Sequence, residues 1–407
     1  MRLSARMSGV RRSYIREILK VTQNPEIISF AGGLPSPDHF PAEAFARAAA
    51  DVLRENGPQA LQYSITEGHP PLREFISRRY KEKWGLDIPV DEILITTGSQ
   101  QGLDLMAKVM LDVGDDVLIE RPGYLGAIQA FSLFGANFLT ADLGPHGVDT
   151  AQLAQRLKDR PKIFYAVPSF QNPSGITYDA ATRRETARLI EDSDTILLED
   201  NPYGELRFKG EAVPPIRAYL DGSRMALMGS FSKIASPGMR IGWIATGPEL
   251  MHTLVTAKQA SDLHTSIFAQ RVLHRFLEDN DLDAHIAVIK KAYGERRDLM
   301  VDAIIRHFPE EVRRTEPEGG MFLWGELPRG VSAQEVFAKA IERKVAFVPG
   351  LPFYVDGTDN AFRLNFSNST PERIEEGIKR LGTCLKEVLS GPCRAAGTCA
   401  PAADPGV

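Results

Sequence analysis

Ile93-Leu94-Ile95-Thr96-Thr97-Gly98-Ser99-Gln100-Gln101 reads as a short apolar strand, a glycine turn and the start of a helix. Beyond the turn, Leu103, Met106, Val109 and Met110 recur at helical spacing and give the next segment one apolar face. Ser99 stands where a side chain can cap that helix. Backbone N–H groups at a helix start directly after a strand form an anion site, although a plain strand-to-helix turn uses the same glycine. No G-x-G-x-x-G follows this strand or any other, which counts against a dinucleotide site.

Outward from that unit the pattern repeats between residues 91 and 247. The remaining strand candidates are Asp116–Glu120, Asn137–Leu143, Lys162–Pro168, Thr195–Asp200, Ala226–Phe231 and Ile241–Thr246, with the first running over Glu92–Thr97. Continuous apolar runs such as Ile196-Leu197-Leu198 suit strands buried on both faces. Helical patterns fall at Ser99–Leu111, Gly123–Phe134, Thr150–Asp159 and Ala180–Glu191. The alternation predicts an α/β fold: a large domain with a mainly parallel seven-stranded sheet flanked by helices. Past Pro248 the pattern is helical to about residue 305, then mixed, with strands over Gly319–Trp324 and Val345–Val348. That shift predicts a smaller α+β domain. The divisions are 1–35, an N-terminal helix and arm; 36–280, the large domain; 281–390, the small domain; and 391–407, an Ala/Pro/Gly/Cys-rich tail expected to be disordered.

Composition narrows the function classes. The chain has 407 residues, 43% hydrophobic and 25% charged, as soluble globular proteins do. A net charge of −5 without a long basic run argues against nucleic acid as a partner. No apolar run approaches membrane-spanning length. Cys384, Cys393 and Cys399 all fall within the last 24 residues and lack metal-ligand spacing with histidine, so they read as free thiols. Met1 to Arg12 carries arginine and serine and no acid, a faint likeness to a transit peptide, but has no apolar core for secretion. Cytoplasm is the expected location.

Three further stretches carry chemistry. Ser230-Phe231-Ser232-Lys233 and Arg240 place a lysine, two hydroxyls and a guanidinium among small and apolar neighbours. Taken alone, Lys233 is a solvated surface charge; desolvated beside cations, its amine becomes a nucleophile able to form a Schiff base. Glu199-Asp200 ends a buried strand, where open α/β sheets bind their ligands. Ser169-Phe170-Gln171-Asn172-Pro173-Ser174-Gly175 follows another strand and offers the Asn172 amide at the same edge, although Asn-Pro is also ordinary turn chemistry.

Together, Ser-x-x-Asn-Pro-x-Gly, Asp-x-x-Tyr and Ser-x-Ser-Lys with arginine seven residues on occur here in order. The constellation resembles the fold-type I aminotransferases of class I/II that use pyridoxal 5′-phosphate (PLP), over residues 25 to 388. Ile28-Ser29-Phe30-Ala31-Gly32-Gly33-Leu34-Pro35, Leu61-Gln62-Tyr63-Ser64, Thr97-Gly98-Ser99-Gln100-Gln101 and Gly319-Gly320-Met321-Phe322 are similar to the subgroup of 2-aminoadipate and kynurenine aminotransferases.

That resemblance implies a role for each residue. Lys233 would hold PLP covalently and then shuttle the substrate's α-proton. Asp200 would pair with the pyridine nitrogen, Asn172 and Tyr203 would bond the ring's 3′-oxygen, and Tyr124 would stack on the ring. Ser99, Gln100, Ser230, Ser232 and Arg240 would bind the phosphate, joined by Tyr63 from a partner subunit, which implies a homodimer with shared sites. Arg363 would clamp the substrate carboxylate in bidentate fashion, and Gly33 would line the pocket. On the N-terminal helix over Ser13–Lys20, which would cover the site, Arg16 would read a distal carboxylate. The activity implied is transfer of an amino group between an L-amino acid and a 2-oxo acid, with glutamate and 2-oxoglutarate as one pair and a 2-aminoadipate-like, branched-chain or aromatic substrate as the other. A β-lyase, synthase or cyclase on the same fold shares the lysine and the aspartate. A PLP-sensing regulator needs a DNA-binding module for which the first 30 residues leave no room.

Overall fold

Continuous apolar runs between residues 93 and 246 become the strands of one central sheet. A computed structural model describes residues 4–7, 18 and 24–390; the expected tail over 391–407 and Arg16 lie outside them. The first strand, β1 (Ile28–Ser29), precedes helices α1 (Ala42–Ala60) and α2 (Pro70–Trp84). The central sheet then takes β2 (Ile93–Thr96), β3 (Asp116–Arg121), β4 (Asn137–Gly144), β5 (Gly147–Val148), β6 (Ile163–Ala166), β7 (Ile196–Asp200), β8 (Met225–Ser230) and β9 (Gly242–Thr246). Helices α3 (Ser99–Met110), α4 (Leu125–Ser132), α5 (Thr150–Leu157) and α6 (Ala180–Glu191) lie between them in sequence.

The strand order is β2-β9-β8-β7-β6-β3-β4-β5. Pairs β3–β4, β3–β6, β6–β7 and β7–β8 are parallel, while β9 runs antiparallel to both β8 and β2. The sheet therefore has eight strands where the pattern predicted seven. The addition is β5, two residues that hairpin onto β4 and are too short to show a period. Residues of β2, β6 and β8 are buried throughout, as expected of strands covered on both faces. Asp149 caps α5 by accepting from the N–H groups of Ala151 and Gln152, a contribution of about 1 kcal/mol.

Helices α7 (Pro248–Asp262), α8 (Ile267–Asp279) and α9 (Leu282–His307) follow, as the helical pattern predicted. The C-terminal region adds β10 (Arg313–Arg314), β11 (Phe322–Glu326), α10 (Ala333–Glu342), β12 (Val345–Ala346), β13 (Val348–Pro349), β14 (Ala361–Asn365) and α11 (Pro371–Leu389). An antiparallel sheet of order β10-β11-β14-β13 forms there. The single strand expected over Val345–Val348 divides at Phe347: β12 pairs with β1, and β13 with β14. That division ties the entering segment, Ile28 to Ser29, to the C-terminal region. Among the described residues, no helix is long and apolar enough to cross a membrane.

Candidate active site

The carboxyl ends of β2, β6, β7 and β8 meet at one edge of the central sheet, where α/β folds bind ligands. A cavity of about 300 Å³ opens there. Twelve of the fourteen residues singled out in the sequence line it: Gly33, Ser99, Gln100, Tyr124, Asn172, Asp200, Tyr203, Ser230, Ser232, Lys233, Arg240 and Arg363. Tyr63 does not. Its side chain is 79% exposed and meets the His264 ring edge-on.

The turn after β2 differs from the expectation in one respect. Gly98, at φ 74°, is the residue before α3, Ser99 is the first helical residue, and no side chain caps the helix. The first N–H groups of α3 have no intrahelical acceptor and face the cavity edge without a side-chain cap, as an anion site needs. A Cβ at Gly98 would stand 2.4 Å from Arg240 Nη2, so only glycine lets the guanidinium cross this turn. Arg240 itself holds a left-handed backbone, φ 53°, at a cost of about 1–2 kcal/mol. Beside it, Ser230 Oγ donates to Ser232 Oγ at 2.9 Å.

Deeper in the cavity, β7 ends in Asp200, 3% exposed. Its Oδ2 accepts from the Tyr165 hydroxyl at 2.8 Å, and its Oδ1 is buried with no hydrogen-bond partner. Burial pushes this carboxyl up to about 7, against the opposing hydrogen bond from Tyr165. Tyr165 was not singled out in the sequence. It sits mid-strand in β6, where a tyrosine reads as core, and only the parallel pairing with β7 brings its hydroxyl to the acid.

Lys233 Nζ donates to the Gly33 carbonyl at 3.1 Å. Burial, and then the charges of Arg363 and Arg240, lower its pKa from 10.5 to about 8. Arg363 projects from β14, 2% exposed. It donates through Nη1 to Asn172 Oδ1 and through Nη2 to the Ala31 carbonyl, both at 2.8 Å. Its guanidinium lies 4.4 Å from the Phe322 ring centre and 5.3 Å from that of Phe353. A guanidinium only donates, so the Asn172 amide oxygen must face it. The amide nitrogen is thereby aimed at the Tyr203 hydroxyl, 3.3 Å away.

The loop carrying Asn172 is braced from beneath. Gln171 donates to Glu120 Oε2 at 3.0 Å and to the Pro122 carbonyl at 2.7 Å. Tyr178 and the Val167 N–H reach the other Glu120 oxygen. Burial raises this carboxyl to about 7, opposed by those same hydrogen bonds. Neither Glu120 nor Gln171 was singled out, because a polar residue near the end of β3 or in the turn after β6 carries no sign of the partner it will meet.

Among the described residues, three cationic side chains and one carboxylate line the cavity, a balance suited to anionic ligands. Sequence comparison matches residues 25–381 to aminotransferase class I and II. The chain belongs to this family. The aminotransferase is 45% identical over 389 residues to a 2-aminoadipate transaminase of Thermus thermophilus, spanning 94% of this chain and 96% of that one. It is 41% identical over 393 residues to aromatic-amino-acid aminotransferase 1 of Thermococcus litoralis, spanning 95% and 94%. A crystal structure of Pyrococcus horikoshii kynurenine aminotransferase, in complex with PMP, superposes with a TM-score of 0.92 at 40% identity, covering 96% of this chain and 98% of that chain.

This aminotransferase accordingly uses PLP, in a fold of type I, to transfer amino groups from amino acids. The residues present fit that cofactor. Asp200 Oδ1 is buried without a donor, the position a protonated ring nitrogen requires. The uncapped start of α3, the paired serines and Arg240 suit a phosphate dianion, and the Lys233 amine lines the same cavity.

Proposed function

We propose that this aminotransferase exchanges amino groups between an L-amino acid and a 2-oxo acid at sites shared between two copies of the chain. Glutamate and 2-oxoglutarate would be one pair, and a 2-aminoadipate-like, branched-chain or aromatic substrate the other. The observation that carries the reading is the Asn172 amide, hydrogen-bonded to both Arg363 and Tyr203. It sets the residue that would take the substrate carboxylate in register with the residue that would bind the cofactor's ring oxygen.

When bound, PLP supplies the electron sink for the carbanion formed at the substrate's α-carbon. Lys233 Nζ, at the cavity wall, would take the α-proton and return it. Arg363 receives the α-carboxylate on its planar fork, already oriented by Asn172 and Ala31. Asp200 would hold the ring nitrogen, Asn172 and Tyr203 would hold the ring oxygen, and Tyr124 would cover the ring face. The phosphate would be held by Ser99, Gln100, Ser230, Ser232 and Arg240, with Tyr63 from the second copy.

The exposed apolar run supports that pairing: Leu61, Tyr63 and Ile65 are 74%, 79% and 49% exposed, a surface a second copy would cover. In this reading residues 36–280 form the cofactor domain and 281–390 the smaller domain, in a cytoplasmic enzyme; most of the arm expected over 1–35 lies outside the described residues. The named relatives act on 2-aminoadipate and on aromatic amino acids, which supports a pocket accepting both acidic and apolar side chains.

Mixing the PLP-loaded protein with single amino acids, without a 2-oxo acid, tests the reading. Donors convert the cofactor's absorbance to that of its amine form. If no amino acid in a broad panel does so, elimination or cyclisation replaces transamination. Arg16→Ala is expected to raise KM for glutamate about tenfold and leave that for leucine nearly unchanged, because only the distal carboxylate loses a charged partner. Equal effects on both substrates remove that role.

Tyr165→Phe supplies a pH test. The Tyr165 hydrogen bond favours the Asp200 carboxylate, so its loss raises the pKa further above about 7. The carboxylate is then lost at higher pH, and the acid-side fall in PLP affinity moves up by roughly one pH unit. Titration of PLP binding against pH in both proteins measures it; an unmoved limb sinks the pairing of Tyr165 with Asp200.

A further inference from the structure

Beneath the turn that carries Gly98 lies a second polar cluster, which does not line the cavity. Lys258, on α7, has no exposed surface. Its Nζ donates to Gln101 Oε1 at 2.7 Å, to Asp262 Oδ1 and Oδ2 at 2.9 and 3.1 Å, and to Thr265 Oγ1 at 3.1 Å. Gln101 Oε1 also accepts from the Thr97 N–H at 2.8 Å, and Gln101 Nε2 donates to Asp262 Oδ2 at 2.6 Å. The Thr97 hydroxyl lies 3.2 Å from Asp262 Oδ2 and 3.1 Å from Thr265 Oγ1.

Thr97 is thus gripped at its N–H and its hydroxyl, while its carbonyl faces Arg240 Nη2 at 3.5 Å. It directly precedes Gly98 and the first N–H groups of α3. Burying a lysine is costly unless its donors are met. Here they are met by groups whose shared partner is the residue that sets the direction of the anion turn. An ion pair serving stability alone has no need to converge there.

We propose that Lys258, Gln101 and Asp262 are positioning residues for the cofactor's phosphate, holding Thr97 so that the start of α3 and Arg240 keep one geometry around it. The proposal rests on the reading that the phosphate binds at this turn. It makes a specific demand: loss of the cluster weakens binding of a phosphorylated cofactor and spares its dephosphorylated counterpart. A merely structural role weakens both alike.

The test is equilibrium binding of PLP and of pyridoxal to the full chain freed of cofactor, read from absorbance of the lysine-bound aldehyde. Lys258→Met is expected to raise the dissociation constant for PLP about tenfold or more, and that for pyridoxal less than about twofold. Gln101→Leu, which cuts the hub without exposing a buried charge, is expected to do the same and carries the test if Lys258→Met does not fold. Arg240→Ala runs alongside. If Arg240→Ala does not discriminate between the two cofactors, the phosphate reading fails and takes the proposal with it. If Arg240→Ala discriminates while Lys258→Met or Gln101→Leu weakens both cofactors equally, or neither, the proposal alone is overturned.

Discussion

Replacing Lys233 with alanine is expected to abolish covalent attachment of PLP and to lower transamination by at least about four orders of magnitude. General acid–base catalysis alone contributes up to about 10⁴-fold, and covalent attachment is lost as well. Lys233 is the only lysine lining the cavity among the described residues, so no neighbouring amine can substitute. The folded protein should survive the change. In the folded state Lys233 titrates near 8, below its ordinary 10.5, so its ammonium opposes folding at neutral pH and below. That opposition fades as pH rises from about 8 to 10.5. Without cofactor, the variant should therefore melt at or above the parent's temperature at pH 7, with any gain shrinking toward pH 10.5. Mass spectrometry after borohydride reduction and thermal melts at several pH values measure both. PLP still attached to the variant would refute the assignment of Lys233.

Asp200→Asn is the second large effect, and it separates binding from chemistry. The amide keeps the size of the side chain and can still accept from Tyr165, so the site's shape is preserved. It removes the buried charge that would face a protonated ring nitrogen across Oδ1, which has no other partner. Breaking a buried ion pair costs about 3–5 kcal/mol, or about 10²- to 5 × 10³-fold in rate when that pairing matters in the transition state. PLP should remain attached through Lys233 while single-turnover transamination falls by that factor. A loss below about tenfold would mean that Asp200 does not hold the ring nitrogen.

These two residues, with Asn172 and Arg240, were legible because Asp200 ends β7, Lys233 and Asn172 come within a few residues after β8 and β6, and Arg240 stands just before β9, and local pattern places strand boundaries. The glycine turn was legible for the same reason, although the cap was not: Gly98 takes the position expected of Ser99, since the chain must reach φ 74° to let Arg240 across. Arg363 stood out only through resemblance. Its strand, β14, is separated from Asn172 by 191 residues, and nothing local to Phe362-Arg363-Leu364 announces a partner at that distance.

The amino-acid sequence by itself determined the alternation of buried strands with amphipathic helices, the glycine turn, and the lysine and aspartate at strand ends, because these follow from periodicity and backbone preference over a few residues. Tertiary structure alone decided which buried side chains answer one another. Tyr165 meets Asp200 because β6 lies beside β7 in parallel. Asn172 joins Arg363 to Tyr203 because a turn after one sheet packs against a strand of another. Lys258 reaches Gln101, which holds the Thr97 N–H, because the end of α7 closes beneath the start of α3. Each of these contacts depends on the relative placement of segments far apart in the chain, and hydrophobic patterning, which sets how a segment buries itself, carries no record of which polar atom will be waiting there.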